Sequence, residues 1–248
     1  MNNRQKLVII PGWSNAGNKM WKHQLPYLQE HYDVETIVVS NKTTVSEMAD
    51  EVLRRTPDTF LLLGHSLGGL IAQNVALKAP HRVKRLMLVG TFPGNTPVEQ
   101  RAFFETGMLK PLLDGSIAQH WEQLNKACVA PTRENDQDLL QELLECQGLS
   151  VEGLINQTRV LMDARDISNQ LSALTMPTLI LYGRQDQFFS LEMQHLMMEK
   201  LPNAQLSIIE ECGHLPPLEQ PEMVSHLLTQ WLESNRESNL IDKKEKQQ

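Results

Sequence analysis

Residues 64–69 read Gly64-His65-Ser66-Leu67-Gly68-Gly69, a serine with a glycine two positions before it and two positions after it. At this composition chance supplies only about 0.04 such patterns in the whole chain. The flanks add more. Phe60–Leu63 is an apolar run that reads as a strand, and Leu70-Ile71-Ala72 with Val75-Ala76 give the next segment a buried helical face. A serine on so sharp a strand-to-helix turn has a strained backbone, so its neighbours must lack bulk. Its hydroxyl then stands above the sheet beside the free N–H groups of a helix start. Such a hydroxyl needs a base. Asp186 follows the apolar run Thr178–Tyr182, and His214 follows Leu206–Ile209. The chemistry expected is acyl transfer. Ser66 attacks an acyl carbon, His214 takes and returns the proton, and Asp186 fixes the His214 tautomer and stabilises its imidazolium. Two N–H donors must meet the oxyanion, and they are expected from Leu67 and from Trp13 in the loop Pro11-Gly12-Trp13-Ser14.

The remaining histidines (His23, His31, His65, His81, His120, His195 and His226) lie in helical or polar stretches and read as surface or packing residues. Their spacing suits no metal site, and the serine chemistry needs no cofactor.

Three catalytic groups far apart in the chain require a scaffold that brings strand ends together. Six short apolar runs supply it: Leu7–Ile10, Val34–Val39, Phe60–Leu63, Leu86–Val89, Thr178–Tyr182 and Leu206–Ile209. They are continuously apolar, as strands covered on both faces are. Helical patterns alternate with them at Thr44–Arg55, Leu67–Ala79, Leu191–Leu201 and Pro221–Ser234. The fold class expected is α/β, a doubly wound and mainly parallel sheet of about six strands. The alternation stops after Pro93. Helical patterns follow at Val98–Phe104, Ile117–Ala127, Asp136–Glu145 and Val151–Met162. Residues 94–172 are therefore expected to form a helical cap inserted before the last two strands. Residues 1–93 and 173–234 form the sheet domain, and 235–248 a polar, disordered tail. The cap should cover Ser66, and its apolar residues should shape the pocket. The lining expected is Trp13, Phe103, Phe104, Leu109 and Leu215, suited to an apolar or medium-chain group.

Composition narrows the partners. The 248 residues carry a formal net charge of -7 with pI about 5.6, which disfavours nucleic acid and anionic membranes. Six Lys and Arg stand against twelve Asp and Glu between Gly94 and Ser172, so most of the excess lies in the cap. Thr59–Leu77 holds no charged residue, but His65, Gln73, Asn74 and three glycines interrupt it, so it reads as strand, turn and helix rather than a membrane span. The apolar run after Lys6 is too short for a secretory leader. With three cysteines, a reducing cytoplasmic setting is expected.

These landmarks resemble the α/β-hydrolase superfamily over roughly Leu7 to Ser234. The similarity is closest to small cap-bearing esterases such as the pimeloyl-ACP methyl ester esterases and the enol-lactone hydrolases. It rests on the Gly-Trp loop, the Gly-His-Ser-Leu-Gly-Gly turn, Ala79-Pro80-His81-Arg82-Val83, Tyr182-Gly183-x-x-Asp186 and Cys212-Gly213-His214-x-Pro216. The resemblance implies a serine carboxylesterase acting on a small-molecule ester, with an acyl carrier protein as a further partner. A thioesterase, a lactonase or a C–C bond hydrolase would use the same constellation, and a ligand-binding receptor is the non-enzymatic alternative, which the intact triad disfavours. The sequence departs from the family in three places. Pro11-Gly12 stands where His-Gly is usual, which removes a histidine hydrogen bond to neighbouring loops. The leading antiparallel hairpin is not expected. Ser40-Asn41-Lys42-Thr43-Thr44 replaces a Gly-rich loop after the second strand. Oligomeric state is not legible in the sequence.

Overall fold

The computed structural model describes residues 4–245, with side chains as far as residue 233. All six expected strands are present: β1 (Lys6–Ile10), β2 (Asp33–Thr36), β3 (Phe60–His65), β4 (Val83–Val89), β5 (Thr178–Gly183) and β6 (Ala204–Ile209). They form one parallel sheet in the order β2-β1-β3-β4-β5-β6. The helices are α1 (Leu25–His31), α2 (Val45–Arg55), α3 (Leu67–Lys78), α4 (Val98–Phe103), α5 (Lys110–Asp114), α6 (Trp121–Cys128), α7 (Gln137–Cys146), α8 (Val151–Met162), α9 (Leu191–Lys200), α10 (Pro216–Glu219) and α11 (Pro221–Glu245).

Successive residues of a strand face opposite sides, so each apolar run feeds two cores. Val8, Leu62, Leu88 and Ile180 pack on one face with Met48 and Val52 of α2, Ile71 and Val75 of α3, and Met197 of α9. Leu7, Leu61, Leu63, Val89 and Leu181 pack on the other with Leu28 of α1 and Val224 and Leu228 of α11. Because every pairing is parallel, the loops after β1, β3, β5 and β6 leave from the same edge, where ligand sites of open α/β sheets collect.

Several elements differ from expectation. The second strand ends at Thr36, not Val39: the neighbouring β1 ends at Ile10, and Ile37 and Val39 bury themselves against α2 instead. The helix expected over 117–127 is a single 3-10 turn at Ile117–Gln119 followed by α6. The helix expected over 98–104 passes at Phe104 into a π-helical turn, Phe104–Leu109, and then into α5. The expected polar tail continues α11 as far as Glu245, in keeping with a stretch free of Gly and Pro, and its last three residues lie outside the described ones. No helix among the described residues is long and apolar enough to cross a membrane.

Candidate active site

Ser66 stands between β3 and α3 with φ 54° and ψ -122°, a positive φ that non-glycine residues rarely adopt. The turn is closed so tightly that a Cβ on Gly64 would lie 2.3 Å from the Gly68 carbonyl oxygen, and one on Gly68 would lie 2.0 Å from that of Ile10. This is the steric reason for glycine at both positions. The Ser66 amide donates to the Val89 carbonyl at 2.9 Å, and the Thr91 hydroxyl donates to the Ser66 carbonyl at 2.7 Å. The strained residue is thereby held from the neighbouring strand.

The loops after β5 and β6 bring the other two expected residues to it. His214 Nε2 lies 2.9 Å from Ser66 Oγ. His214 Nδ1 donates to Asp186 Oδ2 at 2.7 Å. Asp186 Oδ1 accepts the amides of Phe188 and Phe189 at 2.8 and 3.2 Å, so both of its oxygens are engaged. The Asp186 side chain has 0% exposure, and Ser66 and His214 are buried. The neutral ring with Nδ1–H turned to the carboxylate leaves Nε2 as the acceptor for the serine proton.

The amides of Trp13 and Leu67 donate to no other group among the described residues. Leu67 opens α3, so its N–H is one of the orphan donors of a helix start. Trp13 lies in the β1 loop, which packs on the elbow: a Cβ on Gly12 would meet the Ser66 Cβ at 3.1 Å.

A largely apolar cavity opens over Ser66 and His214, walled by Trp13, Phe104, Met108, Leu124, Cys128, Leu143, Leu161, Phe188, Phe189 and Leu215, with Ser14, Asn15, His65 and Asn125 as its other polar edge. Of the five pocket residues expected, Trp13, Phe104 and Leu215 are on this wall and Phe103 and Leu109 are not. Adjacent helical residues point about 100° apart, so Phe103 and Phe104 do not face the cavity together. Phe104 and Met108 point inward together and are buried, while Phe103 supports the wall from behind, edge-on to Phe104 and Phe188 at 6.0 and 5.8 Å.

Sequence reading missed Glu219. Its buried carboxylate accepts the amides of Gly213 and Leu215, each at 3.0 Å, on either side of His214, and that of Ala130 at 2.7 Å. Burial pushes this carboxyl above its ordinary range, and the three amides pull it back. The His214 amide itself donates to the Cys128 carbonyl at 2.8 Å. Nothing in the sequence separates Glu219 from an ordinary surface glutamate of a short helix.

His65, read as a surface or packing residue, is a buried one. Its Nε2 donates to the His214 carbonyl at 2.9 Å, with the two rings 4.9 Å apart. Burial first, and His214 second, hold its pKa down to about 3 from 6.5, against the pull of that carbonyl. The unfolded chain binds the proton below 6.5, and the folded chain does not until about 3. The stability due to this site is therefore complete above pH 6.5 and is lost as pH falls toward 3. Urea unfolding of His65→Gln should show a shallower loss than wild type, the difference reaching about 2–3 kcal/mol between pH 6.5 and 4.5. Equal slopes in the two proteins would contradict this account.

The family described as serine aminopeptidase, S33, matches residues 31–221. The pimeloyl-[acyl-carrier protein] methyl ester esterase of Aliivibrio fischeri is 28% identical over 247 residues, covering 90% of this chain and 92% of its own. The protein of the same name from Vibrio parahaemolyticus is 29% identical over 228 residues, covering 85% and 87%. Among solved structures, a thermophilic esterase from Thermogutta terrifontis superposes with a TM-score of 0.79 at 24% identity, covering 93% of this chain and 90% of that one. The enol-lactonase from Burkholderia xenovorans LB400 does so with a TM-score of 0.79 at 16% identity, covering 93% and 92%. The structural likenesses show the α/β-hydrolase fold.

Proposed function

The chain belongs to the hydrolase family described as serine aminopeptidase, S33, and from that premise we propose a serine esterase that cleaves carboxylic esters through an acyl-enzyme intermediate. One observation carries the reading: His214 bridges Ser66 Oγ and the Asp186 carboxylate, at 2.9 and 2.7 Å, beneath an apolar cavity. Ser66 Oγ attacks the acyl carbon as its proton passes to His214 Nε2. The Trp13 and Leu67 amides donate to the oxyanion of the tetrahedral intermediate. The carbon–oxygen bond to the alcohol breaks, and His214 returns the proton to the departing alkoxide. Water then attacks the acyl-serine, giving its proton to His214. The acid leaves, and Ser66 Oγ recovers the proton. An ester is favoured over a peptide because an aminopeptidase must hold a free ammonium group, and no aspartate or glutamate stands among the residues lining this cavity.

The cavity measures about 60 Å³. A single water needs roughly 10–15 Å³ of such space, so the cavity admits a short acyl chain. Each fitting methylene contributes up to about 0.8 kcal/mol, roughly fourfold in rate. Across p-nitrophenyl esters, kcat/KM should rise about tenfold from acetyl to butyryl and fall again by octanoyl. A flat profile would remove the pocket from this reading.

A narrower reading, the methyl ester of an acyl chain borne on an acyl carrier protein, is supported by the names of the relatives. The acidic cap, six basic against twelve acidic residues, weighs against a partner of the same sign. An acidic carrier protein should compete with small esters at low salt if this reading holds, and an unchanged rate removes it. The three cysteines are free, which supports a cytoplasmic setting.

A further inference from the structure

The loop that carries Trp13 is held mainly by the helical insertion. Within the loop, the Asn15 amide donates to the Gly12 carbonyl at 3.3 Å and Asn15 Nδ2 to the Trp13 carbonyl at 2.9 Å. Among the described residues, the other hydrogen bonds that tie residues 13–16 come from segments between β4 and β5. The Ala16 amide donates to the Cys146 carbonyl at 3.0 Å, and Asn15 pairs with Gln147 in a single antiparallel bridge. On α8, Gln157 Oε1 accepts the Ser14 amide at 3.1 Å, and Thr158 Oγ1 accepts the Trp13 indole N–H at 2.9 Å.

Neither α8 side chain has slack. Gln157 Nε2 donates to the Val39 carbonyl at 3.0 Å, and the Thr158 hydroxyl donates to the Leu154 carbonyl at 2.7 Å. Both residues are buried. The loop also needs holding. Ser14 has φ 66°, a left-handed conformation that costs a non-glycine residue energy. Pro11 brings no side-chain hydrogen bond. Trp13 is thus gripped by α8 at its ring and at the peptide that follows it, while the Asn15 amide holds the Gly12 carbonyl of the peptide that carries its own N–H.

We propose that Gln157 is a positioning residue for the oxyanion site, with Thr158 as the second grip, so that α8 belongs to the catalytic apparatus as well as to the cover of the pocket. The inference rests on the reading that the Trp13 and Leu67 amides bind the oxyanion. An amide donor acts only when it is aimed where the charge develops, so a loosened loop weakens the transition state more than substrate binding.

The test uses the full chain with Gln157→Leu, which removes both of its hydrogen bonds at similar bulk, and Thr158→Val, which removes the indole grip together with the hydroxyl's bond to the Leu154 carbonyl within α8. A fluorophosphonate counts competent Ser66 sites. For each counted site, kcat and KM are measured on p-nitrophenyl butyrate, and Ki on a trifluoromethyl ketone, whose adduct with Ser66 carries an oxyanion. In Gln157→Leu, kcat per site should fall about 10–100-fold with KM within about twofold, and Ki should rise in proportion to the loss of kcat. Thr158→Val should show a smaller loss in the same sense. Wild-type kcat and Ki per counted site in both variants overturn the proposal, however many sites are lost, because that is the signature of a purely structural role. If Gln157→Leu does not fold, Thr158→Val decides on the same criteria. A wild-type protein that neither labels nor hydrolyses overturns the esterase reading together with this one, whereas an active wild type with unaffected variants overturns this one alone.

Discussion

Replacing Ser66 with alanine should lower kcat on p-nitrophenyl butyrate by about 10⁵–10⁶-fold, with KM little changed. The change removes one atom, Oγ, from a buried residue, and the amide and carbonyl that hold Ser66 to Val89 and Thr91 remain. Alanine meets the same positive φ that serine already tolerates, so the fold should be kept. The oxyanion amides and the pocket remain as well, and such residual machinery still exceeds the uncatalysed rate by about 10³–10⁴. Labelling by a fluorophosphonate should vanish with Oγ. Full activity in Ser66→Ala would place the chemistry elsewhere. Wild-type protein that binds small esters tightly without turnover or labelling would favour a receptor.

Asp186→Asn should cost kcat about 10⁴-fold for a different reason. Asp186 Oδ1 is committed to the Phe188 and Phe189 amides, and those donors will keep the amide oxygen of an asparagine on their side. Its NH₂ must then face His214 Nδ1 at the position now 2.7 Å away. Two N–H groups cannot share that contact, so the ring must present Nδ1 as an acceptor and carry its proton on Nε2. A protonated Nε2 cannot take the proton of Ser66. Substrate binding is untouched, so KM should hold while kcat falls. A loss of less than about tenfold would show that the ring keeps its tautomer without the carboxylate.

The sheet and the edge that carries the candidate site were legible because both depend on local signals. Strand runs covered on both faces are apolar without interruption, as in Leu61–Leu63, and the elbow leaves its mark as two glycines where any Cβ would strike a backbone. Asp186 and His214 stand beside Ser66 because both lie just after strand ends, which parallel pairing converts into nearness in space. Gln157 and Thr158 were not found because their partners, Ser14 and Trp13, lie far away in the chain, and Glu219 was not because no local pattern marks a carboxylate that turns back to the Gly213 and Leu215 amides. The break at Ile117–Gln119 and the π-helical turn at Phe104–Leu109 also escaped, since an apolar stripe of roughly helical period reads the same through either irregularity.

The register that sets Val89 beside Leu181 is closed across about 90 residues of intervening chain. In polymer terms this long excursion is inexpensive. Loop-closure entropy grows only with the logarithm of length, so closing it costs about 2 kcal/mol more than closing a ten-residue crossover. Lineages can therefore lengthen, shorten or rewrite this segment while the sheet hardly registers the change. The grip of α8 on Ser14 and Trp13 sets the limit on that freedom, because a rewritten segment that loses it would leave a stable protein with a slower reaction.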